Sequence, residues 1–179
     1  MSLIKSISGI RGTIGGKVDD NLTPVDVVKF TAAFGTWLQK TQNKKELTLV
    51  IGRDARISGA MVNSLVTATL QGLGIHVVDL GLSTTPTVEV MVPELNADGG
   101  IILTASHNPK QWNALKLLNE KGEFISGKDG AEMLEIAEKE DFNFAEVDDL
   151  GKYETRTDAF DIHIQKILDL PMVDVEAVK

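Results

Sequence analysis

The sequence predicts a three-layer α/β/α domain built around a mostly parallel mixed sheet. Short apolar runs rich in strand-forming residues alternate along the chain with longer segments whose apolar residues recur at helical spacing. Proline and glycine punctuate the boundaries between these segments. A chain in which strands and helices alternate in this way typically folds in layers around a largely parallel sheet.

The first predicted helix begins after Thr23. Thr23 is a good N-cap, Pro24 suits the first helical position, and Asp26 can face the helix N-terminus. One apolar stripe follows at helical spacing, formed by Val27, Phe30, Phe34, Trp37 and Leu38. The polar residues that follow are expected to end the helix.

A strand, a second helix and a second strand are predicted next. Residues 47–51 form a short buried strand, and Ser58 can cap a helix whose left-handed stop is Gly74. Residues 75–80 then form the second strand, and residues 81–84 form a loop.

A short third helix is predicted at Thr85 and Pro86, which repeat the pattern of a cap followed by proline. This helix should end before Pro93, because proline inside a helix removes a backbone hydrogen bond. Further predicted elements are strands over 101–103 and 114–118 and an amphipathic helix over 129–140.

The C-terminal part of the sequence is expected to be less compact. Residues 138–152 are acidic and are predicted to be loop-like, and the acidic run over 138–149 is interpreted as a solvated surface. A helix over 158–170 precedes a linker. We therefore expect one domain over residues 1–150. Residues 151–179 are expected to be a terminal helix and linker that lead toward a second domain of a longer protein.

Charge and composition exclude several classes of protein. Eighteen Lys and Arg against 26 Asp and Glu give a net charge of -8, which argues against a general nucleic-acid or anionic-membrane surface. With no cysteine, disulfides, thiolate metal sites and a cysteine nucleophile are excluded. No stretch approaches the roughly 20 apolar residues of a membrane span, and residues 1–11 lack a secretory core. We expect a cytoplasmic protein with neither nucleic acid nor membrane as a partner.

Three polar segments carry the candidate chemistry. Residues 52–56 (Gly-Arg-Asp-Ala-Arg) and 104–109 (Thr-Ala-Ser-His-Asn-Pro) each follow a predicted strand. In open α/β sheets, sites gather beyond the C-terminal ends of strands. The third segment, 8–12 (Ser-Gly-Ile-Arg-Gly), contains glycines that let the backbone approach a ligand closely.

The second of these segments places Ser106 beside an imidazole and a carboxamide. A serine used covalently needs nearby cations and donors to hold a phosphate and stabilise its transfer. Lys116, His107 and Arg11 could supply them. The residues alone favour the alternative that Ser106 and Asn108 only make turn hydrogen bonds. The Gly-x-Ser-x-Gly elbow of hydrolases and the Gly-x-x-x-x-Gly-Lys-Ser/Thr phosphate loop are both absent.

Taken together, the three segments resemble those of the α-D-phosphohexomutases, the superfamily of phosphoglucomutase, phosphomannomutase and phosphoglucosamine mutase. Residues 8–12 are similar to the family's N-terminal segment, and residues 52–56 resemble its Gly-Arg-Asp-x-Arg motif. Residues 104–109 match its phosphoserine loop residue for residue, with Asn113 and Lys116 at the family's spacing. The resemblance covers the first two-thirds of the chain.

This resemblance implies a mechanism and roles for five residues. Phospho-Ser106 would donate its phosphoryl group to a phosphosugar, and the bisphosphorylated hexose would return its other phosphate to Ser106. Phosphate would thereby move between C6 and C1. Lys116 would transfer a proton or stabilise charge, while Arg11 and His107 would position the phosphate at the catalytic serine. Asn108 would lie in the phosphate-binding loop and shape it.

The resemblance also implies Mg²⁺ and a bisphosphorylated hexose as activator. This chain would contribute only the phosphate of Ser106 to the metal, because the family's Asp-Gly-Asp-x-Asp-Arg loop belongs to a second domain and is not found here. We expect the remaining domains of the same polypeptide to complete the site, and residues 1–179 alone to be inactive. The preferred phosphosugar stays open: residues 3–12 slightly favour phosphoglucosamine mutase over phosphomannomutase/phosphoglucomutase activity.

Two other interpretations stay open. One is a non-catalytic phosphosugar-binding α/β module, and the other is a purely structural domain. Arg53, Asp54 and Arg56 are interpreted as a structural ion-pair cluster at a strand end, with direct ligand contact as the alternative. Trp112 is expected to lie in the active loop and cover it.

Overall fold

A mixed sheet forms the centre of the computed structural model, which describes residues 2–6 and 9–177. Within these residues the strands are β1 Ile4–Ser6, β2 Gly9–Thr13, β3 Thr48–Arg53, β4 His76–Leu82, β5 Gly99–Leu103, β6 Trp112–Leu118 and β7 Tyr153–Thr155. Their order across the sheet is β1-β2-β6-β5-β3-β4-β7.

Most of these strands run in one direction. β3 is parallel to both β4 and β5, and β4 is parallel to β7. β6 is antiparallel to β5, and β2 is antiparallel to β6, so that β2 again points the same way as β5. Only β6 and β1 run the other way among the described strands, which confirms the predicted mostly parallel mixed sheet.

Helices cover both faces of the sheet. They are α1 Pro24–Thr41, α2 Gly59–Gly72, α3 Thr85–Glu94, α4 Gly127–Lys139 and α5 Ala159–Leu168. α1 packs against α2 and α4 on one face, whereas α3 packs on β3 and β5 on the other face, with α5 against α3. Side chains of β3 alternate between the two resulting cores: Leu49 and Ile51 lie in one, and Val50 lies in the other. The predicted three-layer arrangement is confirmed.

The predicted start of α1 is confirmed in atomic detail. The Thr23 hydroxyl accepts from the Asp26 backbone N–H, and the Asp26 carboxylate accepts from the Thr23 backbone N–H at 3.0 Å. This reciprocal pair is a capping box, which satisfies N–H groups that the first helical turn leaves free. Asp26 is fully buried, so the cap also fixes how the chain enters the core.

Two helix ends differ from the predictions. The Ser58 side chain does not cap α2; its hydroxyl instead accepts from the Asn113 amide at 2.9 Å. α3 is capped by Thr84, one residue earlier than expected, and it continues through Pro93 to Glu94. Pro93 is tolerated because it lies in the last turn, where it removes a single backbone bond.

Strands β1, β2 and β7 were not predicted. Gly9 was expected to let the backbone approach a ligand, which stays a prediction. The structure shows in addition that Gly9 approaches β6: a Cβ atom on Gly9 would lie 2.0 Å from the Leu115 carbonyl oxygen. Ser8 of the same motif lies outside the described residues. β7 lies between residues 138–152, which were predicted to be loop-like, and the predicted helix over 158–170, and it pairs with β4.

The C-terminal elements pack on the same sheet and helices as the rest of the chain. β7 extends the sheet beyond β4, and Ala159 of α5 is buried in the core under α3. The domain boundary at residue 150 stays a prediction. Among the described helices, none has the length and apolar character needed to cross a bilayer.

Candidate active site

Ser106 lies on the loop that leaves the C-terminal end of β5. Its backbone is in the left-handed region, with φ of 54°, which side chains other than glycine adopt infrequently. The Ser106 N–H donates to the Thr104 hydroxyl at 2.9 Å. The residue is exposed, so its hydroxyl is open to a ligand.

Lys116 lies next to this hydroxyl because β6 runs antiparallel to β5. The register places Lys116 opposite Ile102, close to the end of β5 from which the serine loop departs. The Lys116 ammonium donates to the Ser106 Oγ at 3.0 Å, and it also lies 5.8 Å from the centre of the Phe124 ring. The predicted pairing of Ser106 with Lys116 is therefore seen in the structure.

Arg11 reaches the same site from β2. Arg11 is opposite Ala114 in the β2–β6 ladder, and alternate residues of β6 share a face, so Arg11 projects on the same side as Lys116. His107 follows the serine and is exposed. Within the described residues, neither the Arg11 guanidinium nor the His107 ring has a hydrogen-bond or ion-pair partner. Both groups are therefore free to meet an anion.

These side chains surround a cleft of about 200 Å³. Its lining is Ser6, Gly9, Arg11, Thr104, Ala105, Ser106, His107, Asn108, Ala114, Lys116 and Phe124. A guanidinium, an ammonium and an imidazole line the cleft, and no carboxylate does so within the described residues. A small volume with one sign of charge favours a small anionic group even though the whole chain is negative.

Asn108 shapes the loop, as predicted. Its backbone N–H and its side-chain amide both donate to the Ala105 carbonyl, at 3.1 and 2.9 Å. These bonds close the turn around Ser106. The side-chain amide still lies at the edge of the cleft, where contact with a phosphate stays a prediction.

Asp54 and Arg56 hold the serine loop from the end of β3. The Asp54 carboxylate accepts from the Arg56 Nε at 3.0 Å and from the Thr104 hydroxyl at 2.7 Å. Arg56 in turn donates to backbone carbonyl groups of the serine loop. The interpretation of an ion-pair cluster is confirmed for Asp54 and Arg56, whereas Arg53 only donates to the Asp54 carbonyl at 3.2 Å.

The sequence signal for Trp112 was misleading. Trp112 was expected to cover the active loop, but it opens β6 and does not line the cleft. Its role is indirect, since its carbonyl accepts from Arg56 at 3.0 Å. Asn113 is fully buried and bonds Ser58 and the Ala114 N–H, so it supports β6 without reaching the cleft.

Residues 2–6 and 9–177 do not form a Mg²⁺ site by themselves. No group of three carboxylate or imidazole side chains comes together within the described residues, and the cleft is lined by cations. Mg²⁺ takes oxygen ligands, chiefly carboxylates and phosphates. The oxygen donors that fit such a metal here are those of a phosphate carried by Ser106.

A larger cleft of about 480 Å³ lies at the opposite end of β3 and β4. It is lined by both signs of charge, including Lys44, Asp149 and Lys152, together with His76. The His76 ring accepts from the Lys152 backbone N–H at 3.0 Å, so this imidazole nitrogen stabilises the chain next to β4. This larger cleft contains no exposed serine hydroxyl beside an ammonium group, and we place the candidate site at Ser106.

Comparison with known proteins gives a consistent result. Residues 3–144 match the family described as phosphoglucomutase/phosphomannomutase, alpha/beta/alpha domain I. A phosphoglucomutase/phosphomannomutase of Thermococcus kodakarensis is 35% identical over 94% of this chain and 36% of its own length. A phosphoglucosamine/phosphogalactosamine mutase of Sulfurisphaera tokodaii is 33% identical over 100% of this chain and 37% of its own length.

Solved structures agree on the fold. A phosphoglucomutase/phosphomannomutase family protein from Burkholderia thailandensis superposes with a TM-score of 0.75 over 92% of this chain and 35% of that protein, at 24% identity. This chain spans little more than a third of the length of the curated relatives it matches.

Proposed function

Because the chain belongs to the phosphoglucomutase/phosphomannomutase family, in which it corresponds to domain I, we propose that Ser106 carries the phosphoryl group of a phosphohexomutase. The observation that carries this proposal is the 3.0 Å contact between the Lys116 ammonium and the Ser106 hydroxyl in a cationic cleft. A serine in this setting can hold a phosphate and release it.

Transfer begins with a phosphate already on Ser106. A hydroxyl oxygen of the phosphosugar attacks phosphorus, the new P–O bond forms, and the bond from phosphorus to the Ser106 Oγ breaks. The proton of the sugar hydroxyl is passed to the departing Oγ, directly or by way of Lys116, so that the step forms a sugar phosphate and a serine hydroxyl with no net change in protons. Lys116 is placed to stabilise or protonate that oxygen, because it already donates to it.

The second half of the reaction restores the phosphoserine. The bisphosphorylated hexose turns over in the cleft and presents its other phosphate to the Ser106 hydroxyl. The Oγ attacks this phosphorus, the bond from phosphorus to the sugar oxygen breaks, and the serine proton passes to that sugar oxygen. The net change moves phosphate between C6 and C1. A bisphosphorylated hexose added from solution would load an unphosphorylated serine by the same step, which is why it acts as activator.

Charge compensation is the main task of the neighbouring residues. Phosphorylation adds about 1.5 to 2 negative charges at Ser106 at neutral pH. Arg11 and His107 have no partner within the described residues, so each can turn toward the phosphate. Preorganised donors of this kind stabilise the charge that develops during transfer.

We assign Mg²⁺ binding and sugar selection to parts of the protein beyond residues 1–179. Mg²⁺ would supply a further positive charge beside the transferring phosphate, and this chain would offer it only phosphate oxygens. Residues 1–179 alone should therefore fold but show no measurable mutase turnover. Turnover comparable to that of the full-length protein would contradict this assignment.

The proposal leaves three candidate hexose phosphates as the preferred substrate. Relatives named for glucose and mannose and relatives named for glucosamine and galactosamine match at nearly equal identity, 35% and 33%. Glucosamine 6-phosphate, glucose 6-phosphate and mannose 6-phosphate are therefore all candidate substrates.

Phosphorus NMR of the full-length protein tests the proposed function. The protein is given Mg²⁺, a trace of bisphosphorylated hexose and each of the three 6-phosphates in turn. We expect conversion of at least one sugar to its 1-phosphate, loss of conversion in Ser106→Ala, and normal conversion in Ser64→Ala, which removes an exposed serine on α2. If folded wild-type protein converts none of them yet binds them, the domain is a phosphosugar-binding module.

A further inference from the structure

The guanidinium of Arg56 is saturated by the loop that carries Ser106. Arginine has five N–H donors in a planar fork. Nε donates to Asp54 at 3.0 Å, Nη1 donates to the carbonyls of Pro109 and Trp112 at 2.8 and 3.0 Å, and Nη2 donates to those of Ser106 and Asn108 at 2.7 and 2.9 Å. Five donors thus meet five acceptors.

Arg56 therefore has no donor left for a ligand. Its side chain is 10% exposed, and it is absent from the lining of the cleft. This separates it from Arg11 and Lys116, which do line the cleft. Direct ligand contact, the alternative left open by the sequence, does not fit these contacts.

Hydrogen bonds link both the backbone carbonyl and the backbone N–H of Ser106 to the pair of Asp54 and Arg56. The carbonyl of Ser106 accepts directly from Arg56 at 2.7 Å. The N–H of Ser106 donates to Thr104, whose own hydroxyl donates to Asp54 at 2.7 Å. A non-glycine residue stays at φ of 54° only where its surroundings hold it there, and these bonds do so.

We infer that Arg56 is a positioning residue for phosphoryl transfer. It fixes the backbone of the serine loop, holds Ser106 in the left-handed conformation, and thereby aims the Ser106 Oγ at Lys116. It does not contact the substrate. This inference rests on the proposed function of Ser106 for its kinetic consequence, but its structural consequence stands apart from activity.

Lysine cannot replace arginine in this role. Its ammonium has three donors at one point, whereas the four carbonyls and the carboxylate require a planar fork with donors spread along two edges. Arg56→Lys keeps the positive charge and removes the geometry. A variant that keeps charge but loses function would therefore identify positioning as the role of this side chain.

The test uses the full-length protein with Arg56→Lys, and with Arg156→Lys as the matched control. Arg156 forms a surface pair with Asp158 beside β7, at the far edge of the sheet. We expect kcat of Arg56→Lys to fall by about 100-fold, the loss typical of a misplaced reacting group. KM for the hexose phosphate should change by less than about 3-fold, since no substrate contact is removed. Arg156→Lys should match the wild type.

A crystal structure of Arg56→Lys provides the readout that does not depend on activity. We expect Ser106 to leave the left-handed region and its Oγ to move away from Lys116. An unchanged loop with unchanged kcat would overturn the inference, and so would a raised KM with unchanged kcat, because the latter identifies a substrate contact.

A second variant keeps the test decisive if Arg56→Lys does not fold. Asp54→Asn retains Arg56 but removes the negative charge that accepts from its Nε. We expect kcat to fall while KM stays the same. An unchanged kcat in folded Asp54→Asn would then count against positioning. If the wild-type protein itself converts no sugar, the proposed function has failed, and the conformation of Ser106 in the variants still decides whether Arg56 positions the loop.

Discussion

Ser106 combines an exposed hydroxyl with a backbone conformation that costs stability. A residue with a Cβ atom in the left-handed region is strained by roughly 1 to 2 kcal/mol, and glycine is not. The surrounding hydrogen bonds of Asp54, Arg56 and Thr104 hold it there. The strain is thus located at the residue to which we assign the chemistry, as is common at functional sites.

Exchanging Ser106 for glycine should relieve this strain. Ser106→Gly and Ser106→Ala both remove the hydroxyl and therefore both lack a phosphate acceptor. We expect Ser106→Gly to have a free energy of unfolding about 1 kcal/mol higher than Ser106→Ala, because only alanine keeps the Cβ atom at φ of 54°. Urea denaturation measures the difference. Equal stabilities would show that the left-handed conformation carries no strain.

Removing the ammonium beside the serine should slow transfer without unfolding the protein. Lys116→Met keeps the aliphatic stem against Phe124 and removes the group that donates to the Ser106 Oγ. We expect kcat to fall by about 10² to 10⁴-fold, the range for a lost proton donor or charge stabiliser. Lys110→Met, an exposed lysine on the same loop, is the control and should retain activity. A loss shared equally by both variants would contradict a specific role for Lys116.

Pairing of β2 with β6 places Arg11 over the cleft. Gly9 makes this pairing possible: its φ is 118°, and the carbonyl of Leu115 occupies the space that a Cβ atom would need. Gly9 therefore allows the close packing of β2 on β6 in addition to lining the cleft. Arg11 is two residues further along the same strand, so its position depends on that contact.

Gly9→Ala should destabilise the fold and displace Arg11. A Cβ atom 2.0 Å from a backbone oxygen forces the strands apart, and we expect a loss of about 3 kcal/mol or more in the free energy of unfolding. Gly15→Ala is the matched control. Gly15 also has a positive φ, of 90°, but no described atom lies within 4 Å of the position that its new methyl group would take, so about 1 kcal/mol should be lost. Similar losses in both variants would contradict the close approach of β2 to β6.

The edge strand β7 has its own reporter in Tyr153, the single tyrosine of the chain. Burial, and then the hydrogen bond that its hydroxyl donates to Asp79 at 2.9 Å, raise the pKa of Tyr153 above its ordinary value of 10.0. The folded state therefore keeps this proton at a pH where the unfolded chain has lost it. Stability from this group is present below pH 10 and is lost as pH rises through the folded-state pKa.

Absorbance at about 295 nm, where the phenolate absorbs, should follow this titration directly in residues 1–179. We expect a midpoint above pH 10 in the folded protein and close to 10 in urea. Asp79→Asn should shift the folded midpoint partway back, because it removes the carboxylate that disfavours the phenolate. A folded midpoint at or below 10 would show that the Tyr153 hydroxyl is not held against Asp79.

At the scale of the molecule, the ordered pattern of strands and helices was predictable because it follows local rules. The cap of α1 needs only Thr23 and Asp26, which are three residues apart. β2 and β7 escaped prediction because a short strand is stabilised by partners distant in sequence, here β6 and β4, and not by its own residues. β1 pairs with β2 and therefore depends on the same distant pairing. The role of Arg56 was hidden for the same reason, since four of its acceptors are backbone carbonyls 50 or more positions away in the chain.

The negative charge of the whole chain likewise gives no guide to its site. A net charge of -8 coexists with a cleft in which Arg11, His107 and Lys116 surround one hydroxyl. Local geometry brings these side chains together because β2, β5 and β6 are neighbours in the sheet. We therefore base the functional account on the site and not on overall composition.

One measurement tests the central claim most directly: the path of labelled phosphate in the full-length protein. The protein is loaded with a bisphosphorylated hexose carrying ³²P, the modified residue is located by mass spectrometry, and unlabelled hexose 6-phosphate is then added for a single turnover. We predict label on Ser106 and its transfer to the sugar within that turnover. Label on another residue, or label on Ser106 that never reaches the sugar, would contradict the account.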